Sequence, residues 1–216
     1  MIRKLTLIFL LAVFPFLGNA ADTFDYALWK GEPILLSKLA PVSFSTRTAH
    51  LEIEGFVGEA FYAEGPFTLR FYSTMGYRSL NKTGPLSLQN SDNSRLLVDV
   101  EAYRKPVSFP NMDSPEFLIA YTKGRLAEKQ EYETCTITQG AKQPLAEVRL
   151  MDYWATPIAY EIYNANTDST RTVADAVLDI DGYLVVVRIS KPKKLPLDLS
   201  RELQKVFRHC ILNPTY

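Results

Sequence analysis

The sequence predicts an α+β fold: a single domain, mainly antiparallel β-sheet, with one mid-chain helix and a C-terminal amphipathic helix packed on it. Three observations carry the prediction. Asp181-Gly182 sits between two alternating apolar runs, the pattern of a tight hairpin. Leu199, Leu203, Val206, Phe207, Cys210 and Ile211 recur at helical spacing and make one apolar stripe. Most strand candidates are joined by connections too short for a parallel crossover.

The hairpin fixes its own register. With Asp181 and Gly182 at the tip of a type I′ turn, both central residues need positive φ, which Gly tolerates freely and Asp better than most. Ile180 then faces Tyr183, Leu178 faces Val185, Ala176 faces Val187 and Ala174 faces Ile189, all on one apolar face. The other face sets Asp179 against Leu184, Val177 against Val186, and Asp175 against Arg188 as an opposite-charge pair.

From the start of the chain, Arg3 and Lys4 precede an apolar run over 5–17 and the small-residue sequence Gly18-Asn19-Ala20. That is the three-part pattern of a signal peptide over 1–20, cleaved after Ala20, and it predicts export to a periplasm or the extracellular space. The exported domain is then 21–216, with 21–40 an irregular lead-in that carries Phe24, Tyr26 and Trp29. Residues 42–53 alternate at their end, Leu51 and Ile53 inward and His50, Glu52 and Glu54 outward. Phe67, Leu69 and Phe71 alternate again, with an aromatic-rich, glycine-punctuated connection (Gly55, Gly58, Gly65) between.

Residues 75–95, rich in small and polar side chains, read as loop. Leu96, Val98, Val100 and Ala102 then mark the core side of a strand. Ser114-Pro115-Glu116 starts a helix over 114–131, with Ser114 as N-cap and Phe117, Leu118, Tyr121 and Gly124 inward. Gly124 costs about 1 kcal/mol against Ala unless it allows close packing. Residues 132–138 alternate as a strand, and 147–153 and 158–163 read as hairpin partners. The last helix runs over 198–211, with Asp198 as N-cap.

Two cysteines in an exported chain, Cys135 on a core strand face and Cys210 on the apolar helix stripe, predict a disulfide. Lys plus Arg and Asp plus Glu both number 24, so the chain lacks the basic footprint of a nucleic-acid binder. The apolar run at the start is too short for a stable membrane span.

Chemistry finds little purchase. The G-x-S-x-G, H-E-x-x-H, G-x-x-x-x-G-K-[ST] and G-x-G-x-x-G motifs are absent. His50 and His209, the two histidines, fall on the wet sides of their elements, and the acidic run Asp175, Asp179, Asp181 fails the EF-hand pattern at both ends. The sequence therefore assigns no catalytic residue, no metal ligand and no cofactor, and leans against an enzyme. The reading is an exported accessory protein that engages a protein partner through loops and a sheet edge. Tyr153, Trp154, Lys191, Lys193 and Lys194 are its candidate contact residues. The alternatives are a carrier of a small apolar ligand, using the crowd of Phe56, Phe61, Tyr62, Phe67, Phe71, Tyr72 and Tyr77, or a hydrolase built on paired carboxylates.

Overall fold

The structure, a computed structural model, describes residues 32–53, 56–73, 76–80, 86–106, 115–128, 135–139 and 147–214. The predicted signal peptide, the first part of the lead-in, Ser114 and the far end of its helix lie outside them. Among the described residues the fold is mostly antiparallel sheet with two α-helices, an α+β architecture.

The strands are β1 (Ser45–Ile53), β2 (Phe56–Glu64), β3 (Phe67–Tyr72), β4 (Tyr77–Ser79), β5 (Leu86–Asn90), β6 (Leu97–Arg104), β7 (Cys135–Gln139), β8 (Val148–Leu150), β9 (Tyr153–Ala155), β10 (Ile158–Asn164), β11 (Ser169–Ile180), β12 (Tyr183–Pro192) and β13 (Cys210–Pro214). The helices are α1 (Pro115–Glu128) and α2 (Leu199–Arg208), and a 3-10 turn spans Leu36–Lys38. A seven-stranded sheet runs β4-β5-β6-β12-β11-β10-β7, a four-stranded sheet runs β1-β2-β3-β13, and β8-β9 stand as a separate pair.

The β11–β12 hairpin has the predicted register, Ile180 opposite Tyr183 and Asp175 opposite Arg188, with Asp181 and Gly182 at φ of 50° and 83°. At the centre of the large sheet, its apolar face meets the four-stranded sheet and α2. Ala174, Ala176, Leu178, Val185, Val187 and Ile189 join Phe61, Phe67, Phe71, Leu203 and Phe207 in one core. Asp198 caps α2 by accepting from the Ser200 and Arg201 amides at 2.9 and 3.3 Å. The other face of the same hairpin is covered too. Val177, Leu184 and Val186 pack under Phe117 and Tyr121 of α1 and under Leu36.

Gly124 shows why α1 tolerates a glycine. A Cβ built there would lie 1.7 Å from the Ile34 carbonyl oxygen, so the lead-in crosses the helix where there is no side chain. The Ile34 amide donates to the Ala120 carbonyl at 2.9 Å in that crossing.

Several expectations are corrected. The stretch between Ile53 and Phe67 holds β2, and 75–95 contributes β4 and β5: short strands whose polar exposed residues mask the buried alternation of Leu86, Leu88 and Asn90. Residues 148–150 turn back onto 153–155 through Met151 at φ 52°, so β10 pairs instead with β11 and β7. The last helix ends at Arg208, and Cys210 and Ile211 belong to β13, which pairs with β3. The predicted Cys135–Cys210 disulfide is not formed: Cys210 is a free, buried thiol. The two residues start strands of different sheets, Cys135 beside Asn164 at the rim of the large sheet and Cys210 beside Phe71 in the small one.

Candidate functional site

Alternation along β11 and β12 puts Asp175 and Arg188 on the sheet face that α1 covers. Asp175 is 0 % exposed, and such a carboxylate persists inside only if its oxygens are satisfied. Four hydrogen bonds do so. Arg188 Nε donates to Oδ1 at 2.9 Å and Nη2 to Oδ2 at 3.3 Å; the Tyr121 and Tyr160 hydroxyls donate to Oδ2 at 2.7 and 3.0 Å. Tyr121 comes from α1 and Tyr160 from β10, so one carboxylate ties the helix to three strands.

The electrostatics follow. Burial alone would raise the Asp175 pKa, but Arg188, Arg125 and the hydrogen bonds outweigh it and hold the carboxyl below its ordinary range. Burial would lower the Arg188 pKa, yet Asp175, Tyr160 and Glu101 keep the guanidinium charged. Burial and the Asp175 charge push the Tyr121 and Tyr160 phenols up, so both remain donors.

The network runs outward from there. Arg188 Nη1 donates to Glu101 Oε1 at 3.2 Å, and the Tyr103 hydroxyl to Glu101 Oε2 at 3.1 Å. On α1, Arg125 donates to Glu128 Oε2, and Glu128 Oε1 accepts the Ser37 amide at 2.8 Å. Glu101, Tyr103, Arg125 and Glu128 line a pocket of about 180 Å³ together with Leu36, Ser37, Leu39 and Pro41. Glu101 and Glu128 are the two carboxylates in that lining. Each of their four oxygens already has a donor, so the pair acts as a clamp on α1 and the lead-in.

The predicted site residues do not converge. Trp154 is 55 % exposed with the Arg149 guanidinium 5.2 Å from its ring centroid. Tyr153 stands near the hairpin tip, where burial and then Asp181 raise its pKa. The lysines stand at the other end of the same hairpin, Lys191 opposite Thr172, about 30 Å away at strand rise. Lys191 is not a solvated charge: it is buried and its ammonium donates to the Leu195 carbonyl at 2.6 Å. Lys193 pairs with Glu161 at 2.9 Å, and Lys194 is exposed. Of the aromatic crowd, Phe61, Phe67, Phe71 and Tyr77 are buried in the core between the sheets.

His50 is exposed on β1, and the His209 ring Nδ1–H donates to the Lys205 carbonyl at 2.9 Å. Among the described residues no group of three His, Cys, Asp or Glu side chains could hold a metal ion, and no helix is long and apolar enough to cross a membrane. The sequence pairs Asp175 with Arg188, but Tyr121 and Tyr160 join them only through tertiary packing. The uninterrupted apolar run Leu184-Val185-Val186-Val187 was the signal that both faces are buried.

No known protein family and no curated protein matches the chain. Among solved structures it is similar to one from Bacteroides thetaiotaomicron VPI-5482, with 10 % identity and a TM-score of 0.39 over 68 % of this chain and 44 % of that one. The chain thus spans less than half the length of that protein. It is also similar to LpqN, involved in cell envelope biogenesis of Mycobacterium tuberculosis, with 11 % identity and a TM-score of 0.43 over 78 % of this chain and 92 % of LpqN.

Proposed function

We propose that the chain is an exported, non-catalytic accessory protein, a single domain over 21–216, that captures a protein partner by pairing it to the free edge of β1. The observation that carries this is the contrast among sheet edges. β4 has three residues, β7 pairs with β10 through a register shift at Glu161/Ile162, and β13 ends in Pro214; each is a device that blunts an edge. β1 has nine residues, no proline and no bulge, and among the described residues it pairs with β2 alone. Its hairpin also runs past β3, which stops pairing at Ala60, and Val57 on that projecting arm is 69 % exposed. A long, regular edge supports strand addition by an extended partner segment. The filled aromatic core weighs against the apolar-ligand carrier.

The test is affinity capture from envelope and culture-fluid extract, comparing wild type with Thr48→Pro and Ala49→Pro. Amides along an antiparallel strand alternate between facing the neighbour and facing out, so one of the two prolines removes only an outward donor. That variant folds and retains at least tenfold less partner. Equal retention by wild type and the folded proline variant, or recovery of only a lipid or sugar, defeats the proposal.

A further inference from the structure

The β1–β2 hairpin outruns the sheet it belongs to. Pairing of β2 with β3 stops at Ala60 opposite Tyr72, whereas β1 and β2 go on pairing from Ala49 opposite Ala60 to Ile53 opposite Phe56. The arm beyond is two strands wide, and a ribbon of two strands is marginal in water where three or more are stable. Its open edge carries a charge pattern. His50 and Glu52 are exposed on one face, with Glu59 and Val57 opposite them on β2, and Leu51 between them is half-buried on the other face. Among the described residues neither the His50 nor the Glu52 side chain has a hydrogen bond or an ion pair.

Two copies of one edge strand pair antiparallel about an axis normal to the sheet. That axis keeps each side chain on its own face, so a residue meets itself or one an even number of places away. Centred on His50 or on Glu52, such a pairing sets like side chains against each other. Centred on Ala49, it sets His50 against Thr48 and Glu52 against Thr46. Centred on Leu51, it sets His50 of each copy against Glu52 of the other, twice over, and Leu51 against itself on the second face. An imidazole N–H donates to a carboxylate in either charge state of the ring. Resting on the reading of β1 as a pairing edge, we propose that its partner is a second copy of this chain, the two arms joining about Leu51 into a four-stranded β2-β1-β1-β2 ribbon. The overlap, residues 49–53, coincides with the part of β1 that projects past β3.

The test is sedimentation equilibrium of the purified protein over a range of concentrations, with circular dichroism to check each variant's fold. Wild type is expected to show a monomer–dimer equilibrium. Glu52→Lys sets a cation against His50, and His50→Glu sets two carboxylates together; each weakens dimerisation at least about tenfold. Mixed in equal amounts, the two variants pair with each other, since opposite signs then meet at both positions. A wild type that stays monomeric up to about 1 mM, single variants that dimerise as tightly as wild type, or folded single variants that fail to pair when mixed overturn the inference. If the wild type is monomeric yet capture from extract is still lost in the folded proline variant, the β1 edge stands with a foreign partner and only the second copy is ruled out.

Discussion

The two faces of the β11–β12 hairpin use alternate residues of the same strands to opposite ends. One face, from Ala174 to Ile189, is apolar throughout and packs against α2 and the smaller sheet. The other sets Asp175 and Arg188 among Val177, Leu184 and Val186 and closes them under α1. An apolar face accepts any neighbour of about the right volume, whereas a buried carboxylate is stable only with each donor in place. The first face supplies adhesion; the second dictates where α1 sits.

The largest expected effect breaks the polar face. Asp175→Ala strands Arg188, Tyr121 and Tyr160 and destabilises the fold by about 3–5 kcal/mol, whereas Val187→Ala on the apolar face costs about 2 kcal/mol. Urea unfolding of the two variants measures both, and a reversed order would show that the network does not secure the helix. A smaller effect comes from pH. Because the folded pKa of Asp175 is depressed, its contribution is complete above the ordinary carboxylate range and is lost as pH falls through the folded value. Melting temperature should fall on acidification from about pH 6 to about pH 2 more steeply in wild type than in Asp175→Asn. An equal slope would place the acid sensitivity elsewhere. The smallest effect belongs to neither face: Trp154→Ala, at an exposed site, changes stability by no more than about 0.5 kcal/mol in the same unfolding experiment.

Much of the apolar face was legible in the sequence. Asp181-Gly182 set the hairpin register, and the spacing of Leu199, Leu203, Val206 and Phe207 set the inner side of α2. Local signals of that kind suffice where a turn or a helical repeat fixes which residues share a face. They failed where tertiary contacts decide. β4 and β5 are too short to show a period, and Cys210 fits a helical stripe although its backbone pairs with Phe71. The pocket was missed for the same reason: Leu39, Glu101 and Glu128 are far apart in sequence and meet only when α1 and the lead-in have docked. Trp154, a candidate contact residue from the sequence, is exposed.

The passage from α2 into β13 through the single residue His209 has a consequence for the order of assembly. So tight a junction couples two placements: β13 lies beside β3 and α2 on the core side of the large sheet, and neither can shift along its partner without the other. β3 gains its second neighbour from the far end of the described chain, so the small sheet is completed by a pairing of long sequence separation, the kind that slows folding.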